Sequence, residues 1–207
     1  MTFSEWDAIG ADTRCQLICA EMGRATRDCH SSLAWHLAPG VIIDVMNIQE
    51  LFLKQKEASR GRTRQVTSLL SEDHISWRPV SGALSIGEML RHMWVSEQGV
   101  RNIALNGDFS YYEKRIPGGL SAVLGTPRTI AEEIASLEST QTETLIAVAA
   151  LPMKRWEEER VHERLGFRRK IAFILFGMND HEVHHRAQLM TYLRMLGTPA
   201  PEAVARR

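Results

Sequence analysis

Apolar residues recur every three to four positions in four long segments of the chain, a spacing that indicates amphipathic helices. These segments run from about residue 47 to 70, from 85 to 105, from 126 to 150 and from 168 to 196. In the first of them, one apolar face is formed by Leu51, Phe52, Ala58, Val66, Leu69 and Leu70. No convincing set of alternating strands accompanies them. The pattern therefore predicts an all-α fold built as a four-helix bundle.

Residues typical of helix ends lie where the periodic segments begin and end. Ser85 and Glu88 form a capping box, in which each side chain accepts a hydrogen bond from the other residue's free backbone N–H. Pro127 suits the first turn of the third helix, because the missing N–H of proline costs nothing there. Gly197 followed by Pro199 is a stop signal for the fourth helix. Periodicity and capping therefore agree on the helix limits.

Two connections between the helices are longer than tight turns. Residues 106–125 separate the second helix from the third, and a segment of this length favours a crossover connection. Trp156 to Gly166 shows a partial alternation of apolar and polar residues, which predicts a short hairpin over one end of the bundle. Two strands alone are marginal in water, so this hairpin would depend on packing against the helices.

Residues 1–45 differ from the rest of the chain. They contain no lysine, three arginines and six acidic residues, and their apolar periodicity is poor. Met46 opens the first well-formed helical pattern, which makes it a candidate alternative translation start. We interpret residues 1–45 as an N-terminal extension and residues 46–207 as the bundle domain.

All three cysteines, Cys15, Cys19 and Cys29, lie in this extension. Cys15 and Cys19 have an i,i+4 spacing that a metal site could use, but the third cysteine follows no zinc-finger spacing. Ordinary reduced thiols are the favoured interpretation. Residues 46–207 have no thiol of their own, so sulfur chemistry in that domain would need an external thiol.

Composition and charge narrow the classes of partner. The chain has 207 residues, of which 44% are hydrophobic and 24% charged, the balance of a soluble globular protein. Its 25 basic and 25 acidic residues cancel without a long run of one sign, which argues against nucleic-acid and anionic-membrane partners. No stretch near the N-terminus is typical of a membrane span or a secretory signal. We expect a cytoplasmic protein with a small-molecule or protein partner.

Two histidines in the fourth segment carry the clearest chemical signal. His181 and His185 are four residues apart, so they differ by only about 40° around a helix axis and can reach one metal ion. They belong to an apolar stripe formed by Ile171, Leu175, Met178, His181, His185, Leu189 and Tyr192. Leaving a buried imidazole without a partner costs about 1–3 kcal/mol, so a histidine pair in this stripe is expected to be hydrogen-bonded or bound to a metal ion. A hydrogen-bonded or surface pair remains the alternative to a metal site.

His92 is the candidate for a third ligand. A catalytic zinc site uses three protein ligands and keeps one position for water or substrate. His92 lies in the middle of the second helix beside apolar positions, and facing helices of a bundle assemble metal sites from inward side chains. A histidine at the edge of the core is the alternative. The histidines outside these helices are His30, His36, His74 and His162. His184 is about 100° from His185 and is expected at the surface or supporting a ligand.

Two stretches of the sequence resemble a known family. DHEVHHRAQLMTYLRMLG, from Asp180 to Gly197, resembles the last helix of the DinB superfamily, and IGEMLRH, from Ile86 to His92, is similar to its second-helix motif. Ala187 departs from the glycine that is common in the motif. The resemblance covers roughly residues 46–200. It implies an up-down-down-up four-helix bundle, often dimeric, with a divalent metal ion on three histidines.

Carried onto this sequence, the resemblance makes His92, His181 and His185 the metal ligands. Three imidazoles suit zinc best, and also nickel, iron or manganese. Related proteins include transferases of low-molecular-weight thiols and maleylpyruvate isomerases with a thiol cofactor. The resemblance therefore implies a metal-dependent transferase that joins an exogenous low-molecular-weight thiol to a small electrophile. A metal-dependent hydrolase on the same site and a non-catalytic metal-binding bundle remain the alternatives.

The same histidines also satisfy the H-E-x-x-H pattern of zinc peptidases, in which Glu182 would be the general base. Those enzymes usually take a third ligand further along the chain. No histidine follows His185, and the only later carboxylate side chain is Glu202 in a proline-rich tail. In the DinB-like interpretation Glu182 is solvated or supports the site.

Further polar and aromatic residues are weaker candidates. Gln188 shares a helix face with His181 and could orient a ligand or substrate, although a polar residue at a bundle end is the simpler interpretation. Four aromatic residues could line a pocket mouth or belong to the core. They are Trp77, Tyr111, Tyr112 and Trp156.

Overall fold

A computed structural model describes residues 47–199 of the chain, and the predicted extension 1–45 lies outside them. The helices are α1 (Ile48–Thr67), α2 (Ile86–Asn106), α3 (Ser110–Gly118), α4 (Ser121–Leu124), α5 (Ile130–Ala149) and α6 (Ile171–Met195). Two strands, β1 (Glu159–His162) and β2 (Phe167–Lys170), precede α6. Within these residues, every helix is too short or too polar to cross a lipid bilayer. The predicted all-α four-helix bundle is confirmed, with α1, α2, α5 and α6 as its long helices.

Contacts between side chains give the helix directions. The amide of Gln49, at the start of α1, donates a 2.7 Å hydrogen bond to the carbonyl of Val148, at the end of α5. Arg64, near the end of α1, is ion-paired with Glu138 in the first half of α5. Helices α1 and α5 are therefore antiparallel.

Helix α2 runs in the same direction as α5. Arg91, near the start of α2, pairs with Glu133, and Arg101, one and a half turns before its end, pairs with Glu143. A connection between parallel helices must return along the whole bundle, about 30 Å for a helix of this length. Helices α3 and α4 lie within that return. This explains why residues 106–125 form a crossover rather than a tight turn.

Helix α6 runs parallel to α1 and completes the bundle. The rings of Phe52 and Phe176 are 5.7 Å apart, and further along both helices Arg186 donates to the carbonyl and hydroxyl of Ser59. Helix α6 also packs against α2 on its other side. The directions are therefore up, down, down and up, as the family resemblance implied.

The interior consists of two apolar clusters separated by polar side chains. One cluster includes Phe52, Ile103, Val148, Trp156, Ile171 and Leu175. The other includes Val66, Ile86, Leu90, Leu137 and Leu189. Between them lies what we call the polar layer, formed by Lys56, Arg60, Thr63, His92, Ser96, Glu97, Thr140, Gln141, His181, Glu182 and His185. The polar layer crosses the middle of all four long helices.

Four charged residues of this layer form a buried ionic cluster. The Lys56 ammonium lies 2.7 Å from Glu97 Oε2 and 2.9 Å from Glu182 Oε2. The Arg60 guanidinium lies 2.9 Å from Glu97 Oε2 and 2.8 Å from Glu182 Oε1. Arg60 also donates to the carbonyl of Leu137 in α5. Two cations on α1 thus compensate one carboxylate on α2 and one on α6.

The crossover segment docks on α2 through a close contact. Gly99 of α2 lies against the ring of Tyr111, so a Cβ at position 99 would overlap that ring. Arg91 fixes the other end of the segment, since its guanidinium donates to the carbonyl of Leu124. The absence of a side chain at position 99 therefore allows α3 to pack directly on α2.

The predicted hairpin is present but lies further along the chain. Strands β1 and β2 pair antiparallel, from Glu159 opposite Lys170 to His162 opposite Phe167. Gly166 supplies the left-handed turn residue, with φ of +61°. Residues 168–170 belong to this ladder, so α6 begins at Ile171 and the predicted start at 168 is wrong.

Two other helix limits differ from the prediction. Helix α1 ends at Thr67 rather than residue 70. Helix α5 begins at Ile130, so Pro127 lies before the helix and not in its first turn. Thr129 and Glu132 form a capping box with backbone–side-chain hydrogen bonds of 3.2 and 3.1 Å. This cap decides where the helix starts.

Replacement of Arg60 by methionine should destabilise the domain strongly, because it leaves two buried carboxylates with one cation. We expect the free energy of unfolding to fall by about 3–5 kcal/mol. Urea unfolding followed by circular dichroism measures this change. The matched control is Arg64→Met, one turn along the same helix, where an exposed ion pair is worth less than about 1 kcal/mol. Equal effects of the two substitutions would contradict this account.

Gly99→Ala should also destabilise the domain, although alanine favours helices, because its methyl group must displace Tyr111. A cost of about 1–3 kcal/mol is typical of such overpacking. Gly61→Ala in α1 is the control, since no atom lies within 4 Å of the added Cβ. There the gain in helix propensity should stabilise the protein by roughly 0.5–1 kcal/mol. Thermal unfolding of both variants should therefore show a lower Tm for Gly99→Ala and a higher Tm for Gly61→Ala.

Candidate metal centre

The three predicted ligands meet between α2 and α6. His181 Nε2 lies 3.1 Å from His92 Nε2 and 3.0 Å from His185 Nε2. One nitrogen from each ring lies within 4.8 Å of the others. Because α2 and α6 are antiparallel neighbours, residues 89 positions apart in sequence face each other across one helix interface. The pairing of His92 with the other two is therefore a tertiary contact, whereas His181 and His185 are neighbours within one helix.

Hydrogen bonds fix the orientation of two of the rings. His92 Nδ1 lies 2.9 Å from the hydroxyl of Ser96, and that hydroxyl lies 2.7 Å from the hydroxyl of Tyr111. His185 Nδ1 lies 2.7 Å from the side-chain oxygen of Gln188. When Nδ1 donates to such an oxygen, the proton is held there and the lone pair of Nε2 is free for a metal ion.

Burial keeps the three rings in the neutral form that binds metals. It lowers the pKa of His92 to about 3, that of His181 to about 2 and that of His185 to about 4. Repulsion from His185 acts in the same direction on the pKa values of His92 and His181. At neutral pH none of the three rings therefore carries a proton on both nitrogens.

The donor set fits a divalent ion. Nitrogen ligands about 2.0–2.1 Å from a tetrahedral ion lie roughly 3.3–3.4 Å apart, close to the distances of 3.1 and 3.0 Å from His181 Nε2 to the Nε2 atoms of His92 and His185. Three imidazoles leave a further coordination position for a small molecule. The structure thus brings together all three residues named from the sequence, and metal binding by them stays a prediction.

A protein-family model described as the DinB superfamily matches residues 55–189 of the chain. This match contains α2, α5 and the part of α6 that carries the histidines. The chain belongs to the DinB superfamily. The resemblance seen in two sequence stretches is therefore confirmed over most of the bundle.

Individual relatives agree with this assignment. The uncharacterized protein YjoA of Bacillus subtilis (strain 168) is 23% identical over 141 residues, which cover 67% of this chain and 84% of YjoA. The crystal structure of YjoA, a DinB-like protein, matches with a TM-score of 0.57 and 20% identity, covering 73% of this chain and 95% of YjoA. At this level of identity the structural match supports the fold.

Two further solved structures share the fold. A DinB-like protein from Bacillus cereus ATCC 10987 matches with a TM-score of 0.58 and 16% identity, covering 72% of this chain and 93% of the other. YfiT from Bacillus subtilis is described as a probable metal-dependent hydrolase with an unusual four-helix bundle topology. It matches with a TM-score of 0.56 and 10% identity, covering 76% of this chain and 94% of YfiT.

Glu182 of this DinB-superfamily protein lies in the buried ionic cluster. It is buried rather than solvated, and Lys56, Arg60 and Thr63 all bind its carboxylate. Burial alone would raise the pKa of Glu182, but the two cations outweigh it and lower that pKa to about 2. A carboxylate with its oxygens occupied by this cluster does not serve as the base of an H-E-x-x-H peptidase.

Several residues around the site were missed or only partly recognised in the sequence. Ser96 was missed, although it lies one helical turn after His92 on the same face. Gln188 does orient a histidine, as one of its two interpretations proposed. His184 is exposed, in agreement with its expected surface position. Among the aromatic candidates, Trp156 is fully buried in the core, whereas Tyr111 supports Ser96.

Removal of one imidazole should abolish stable metal binding. We expect the purified full chain to retain about one divalent ion per molecule after dialysis, and His92→Ala to lose it because two ligands on one helix hold an ion weakly. Elemental analysis measures the metal content, and His184→Ala, an exposed histidine beside the site, is the control. Full metal retention in His92→Ala would sink the three-histidine assignment and favour a site confined to α6.

Proposed function

We propose that this protein binds one divalent ion through His92, His181 and His185 and transfers a low-molecular-weight thiol to a small electrophile. The observation that carries the proposal is the convergence of three neutral imidazoles. His181 Nε2 lies 3.1 Å from His92 Nε2 and 3.0 Å from His185 Nε2. Zinc is the first choice of ion, and nickel, iron or manganese also suit three imidazoles. When bound, such an ion lowers the pKa of a thiol or water molecule at its remaining position.

The protein's own residues would perform three tasks in this reaction. The imidazoles hold the ion, and Ser96 and Gln188 keep two of them aligned. Tyr111 packs the crossover segment against α2, and its hydroxyl forms a hydrogen bond with that of Ser96. Because Ser96 and Tyr111 are buried and Gln188 is half-buried, the ligands are arranged before a substrate arrives.

The pairing of the buried carboxylates favours a thiol over water as the nucleophile. Residues 46–207 contain no cysteine, which is compatible with a thiol supplied by a small molecule. Within residues 47–199, the fully buried carboxylates Glu97, Glu133 and Glu182 are each paired with lysine or arginine. Both oxygens of Glu133 and of Glu182 accept hydrogen bonds, so these two carboxylates are not free to take a proton from water, whereas Glu97 Oε1 has no hydrogen-bond partner among residues 47–199. A thiol needs less help, since its pKa is already near 8.5 in solution.

Hydrolysis is the second candidate, because a protein with the same fold is described in those terms. YfiT, the probable metal-dependent hydrolase, shares the bundle at 10% identity. The three-histidine arrangement found here suits activation of water as well as of a thiol. The two candidates differ in whether a thiol must be supplied.

The test is a paired assay on metal-loaded full-length protein. Conjugation of cysteine to monochlorobimane reports thiol transfer, and cleavage of p-nitrophenyl acetate without thiol reports hydrolysis. We expect metal-dependent conjugation that His92→Ala reduces at least about 100-fold, since removal of the ligand removes the activated nucleophile. His184→Ala should keep the rate. Metal binding with ester cleavage alone would establish the hydrolase, and metal binding with neither activity would leave a non-catalytic bundle.

A further inference from the structure

Arg115 of the crossover helix α3 is a half-buried cation that has no partner among residues 47–199. Its side chain forms no hydrogen bond and no ion pair with any residue in the range 47–199, whereas neighbouring Glu113 is paired with Arg164. Partial burial of a guanidinium removes water from it, and proteins normally compensate that loss with an anion. An arginine in this state is suited to receive an anion from a ligand.

The position of Arg115 places it at the three-histidine centre. Arg115 lies four residues after Tyr111, so both project from the same face of α3. The Tyr111 hydroxyl lies 2.7 Å from that of Ser96, which in turn lies 2.9 Å from His92 Nδ1. The face of α3 that carries Arg115 is therefore the face turned toward His92.

The electrostatics of the histidines agree with this placement. Burial is the main reason for their lowered pKa values, and the positive charge of Arg115 contributes to the lowering of the pKa of all three. The helix geometry carries the placement, because Arg115 shares a face of α3 with Tyr111, whose hydroxyl contacts that of Ser96 beside His92.

Within residues 47–199, no carboxylate pairs with the positive charge of Arg115 beside the centre. Glu97 and Glu182 are neutralised by Lys56 and Arg60 on α1. A divalent ion on three neutral imidazoles would add two positive charges next to Arg115. A ligand that brings negative charge would relieve this excess, and a planar guanidinium binds a carboxylate through two parallel hydrogen bonds.

We propose that Arg115 binds a carboxylate of the substrate and so selects an anionic reactant for the three-histidine centre. The inference rests on the proposed function, because it concerns the same site. Arg115 acts as a specificity residue: it holds the carboxylate while the reacting atom occupies the position left by the imidazoles. The carboxylate comes either from the thiol or from the electrophile, and the experiment separates these sources.

The first arm measures binding of thiols to the cobalt-substituted full chain through the thiolate-to-cobalt absorption. 3-Mercaptopropionate and 3-mercapto-1-propanol differ only in the carboxylate. If the thiol supplies it, wild type should bind 3-mercaptopropionate roughly 10- to 100-fold more tightly, the range for a charge-assisted pair. Arg115→Met should abolish that preference, and Arg115→Lys, which keeps the charge but not the planar fork, should retain part of it.

The second arm uses acrylate and acrylamide as matched electrophiles with an uncharged thiol. If the electrophile supplies the carboxylate, the Arg115-dependent preference appears here, as a lower KM for acrylate, and is missing from the first arm. Lys114→Met is the matched control in both arms. It removes the same charge from the same helix, but Lys114 is exposed and lines a cavity of about 250 Å³ that includes none of the three histidines. Equal effects of Lys114→Met and Arg115→Met would overturn the assignment to Arg115.

Metal affinity provides a readout that a merely structural role would not produce. Arg115→Met should bind Co²⁺ a few-fold more tightly than wild type, because a repelling charge is removed. A residue needed only for folding would instead weaken both metal and anion binding, which would overturn the inference. If metal and thiol bind in Arg115→Met with the anion preference unchanged, the inference alone fails. If wild type binds no metal, the proposed function fails with it.

Discussion

The structure depends on a polar layer that crosses the middle of an otherwise apolar bundle. Lys56 and Arg60 from α1 reach Glu97 on α2 and Glu182 on α6, and the charges balance within one buried cluster. Burial of such groups is tolerated only when each charge meets its partner in good geometry. That requirement sets the rotation and height of α2 and α6 relative to α1. The same two helices carry the histidines, so the ionic cluster also determines how the imidazoles meet.

Adjacent residues of α6 supply two kinds of polar group, an imidazole and a carboxylate, and the polar layer keeps them apart. Glu182 follows His181 directly, but a step of one residue turns the side chain by about 100° around the helix. The carboxylate therefore faces the cations of α1, while the imidazole faces His92 of α2. The bundle keeps its acidic groups compensated on one side and its neutral nitrogen donors together on the other. This arrangement leaves the centre with imidazoles and, in the part of the chain that the structure describes, with Arg115 nearby and not ion-paired.

Membership of the DinB superfamily agrees with these constraints at low sequence identity. Solved structures that are 10–20% identical share the bundle, so the fold tolerates replacement of most side chains. The crossover brings residues of its own, Tyr111 and Arg115 in this protein, to the ligand helices.

The amino-acid sequence by itself determined the features that depend on neighbours along the chain. Helical periodicity located the four long helices, the Ser85 cap marked the start of α2, and the i,i+4 spacing paired His181 with His185. Competition between local signals moved other limits, since the Thr129 cap prevailed over Pro127 and the β2 ladder delayed the start of α6. Only the tertiary structure decided that Glu182 is compensated by Lys56 and that Arg115 lies near the imidazoles, because residues far apart in sequence meet through helix packing that no local spacing encodes.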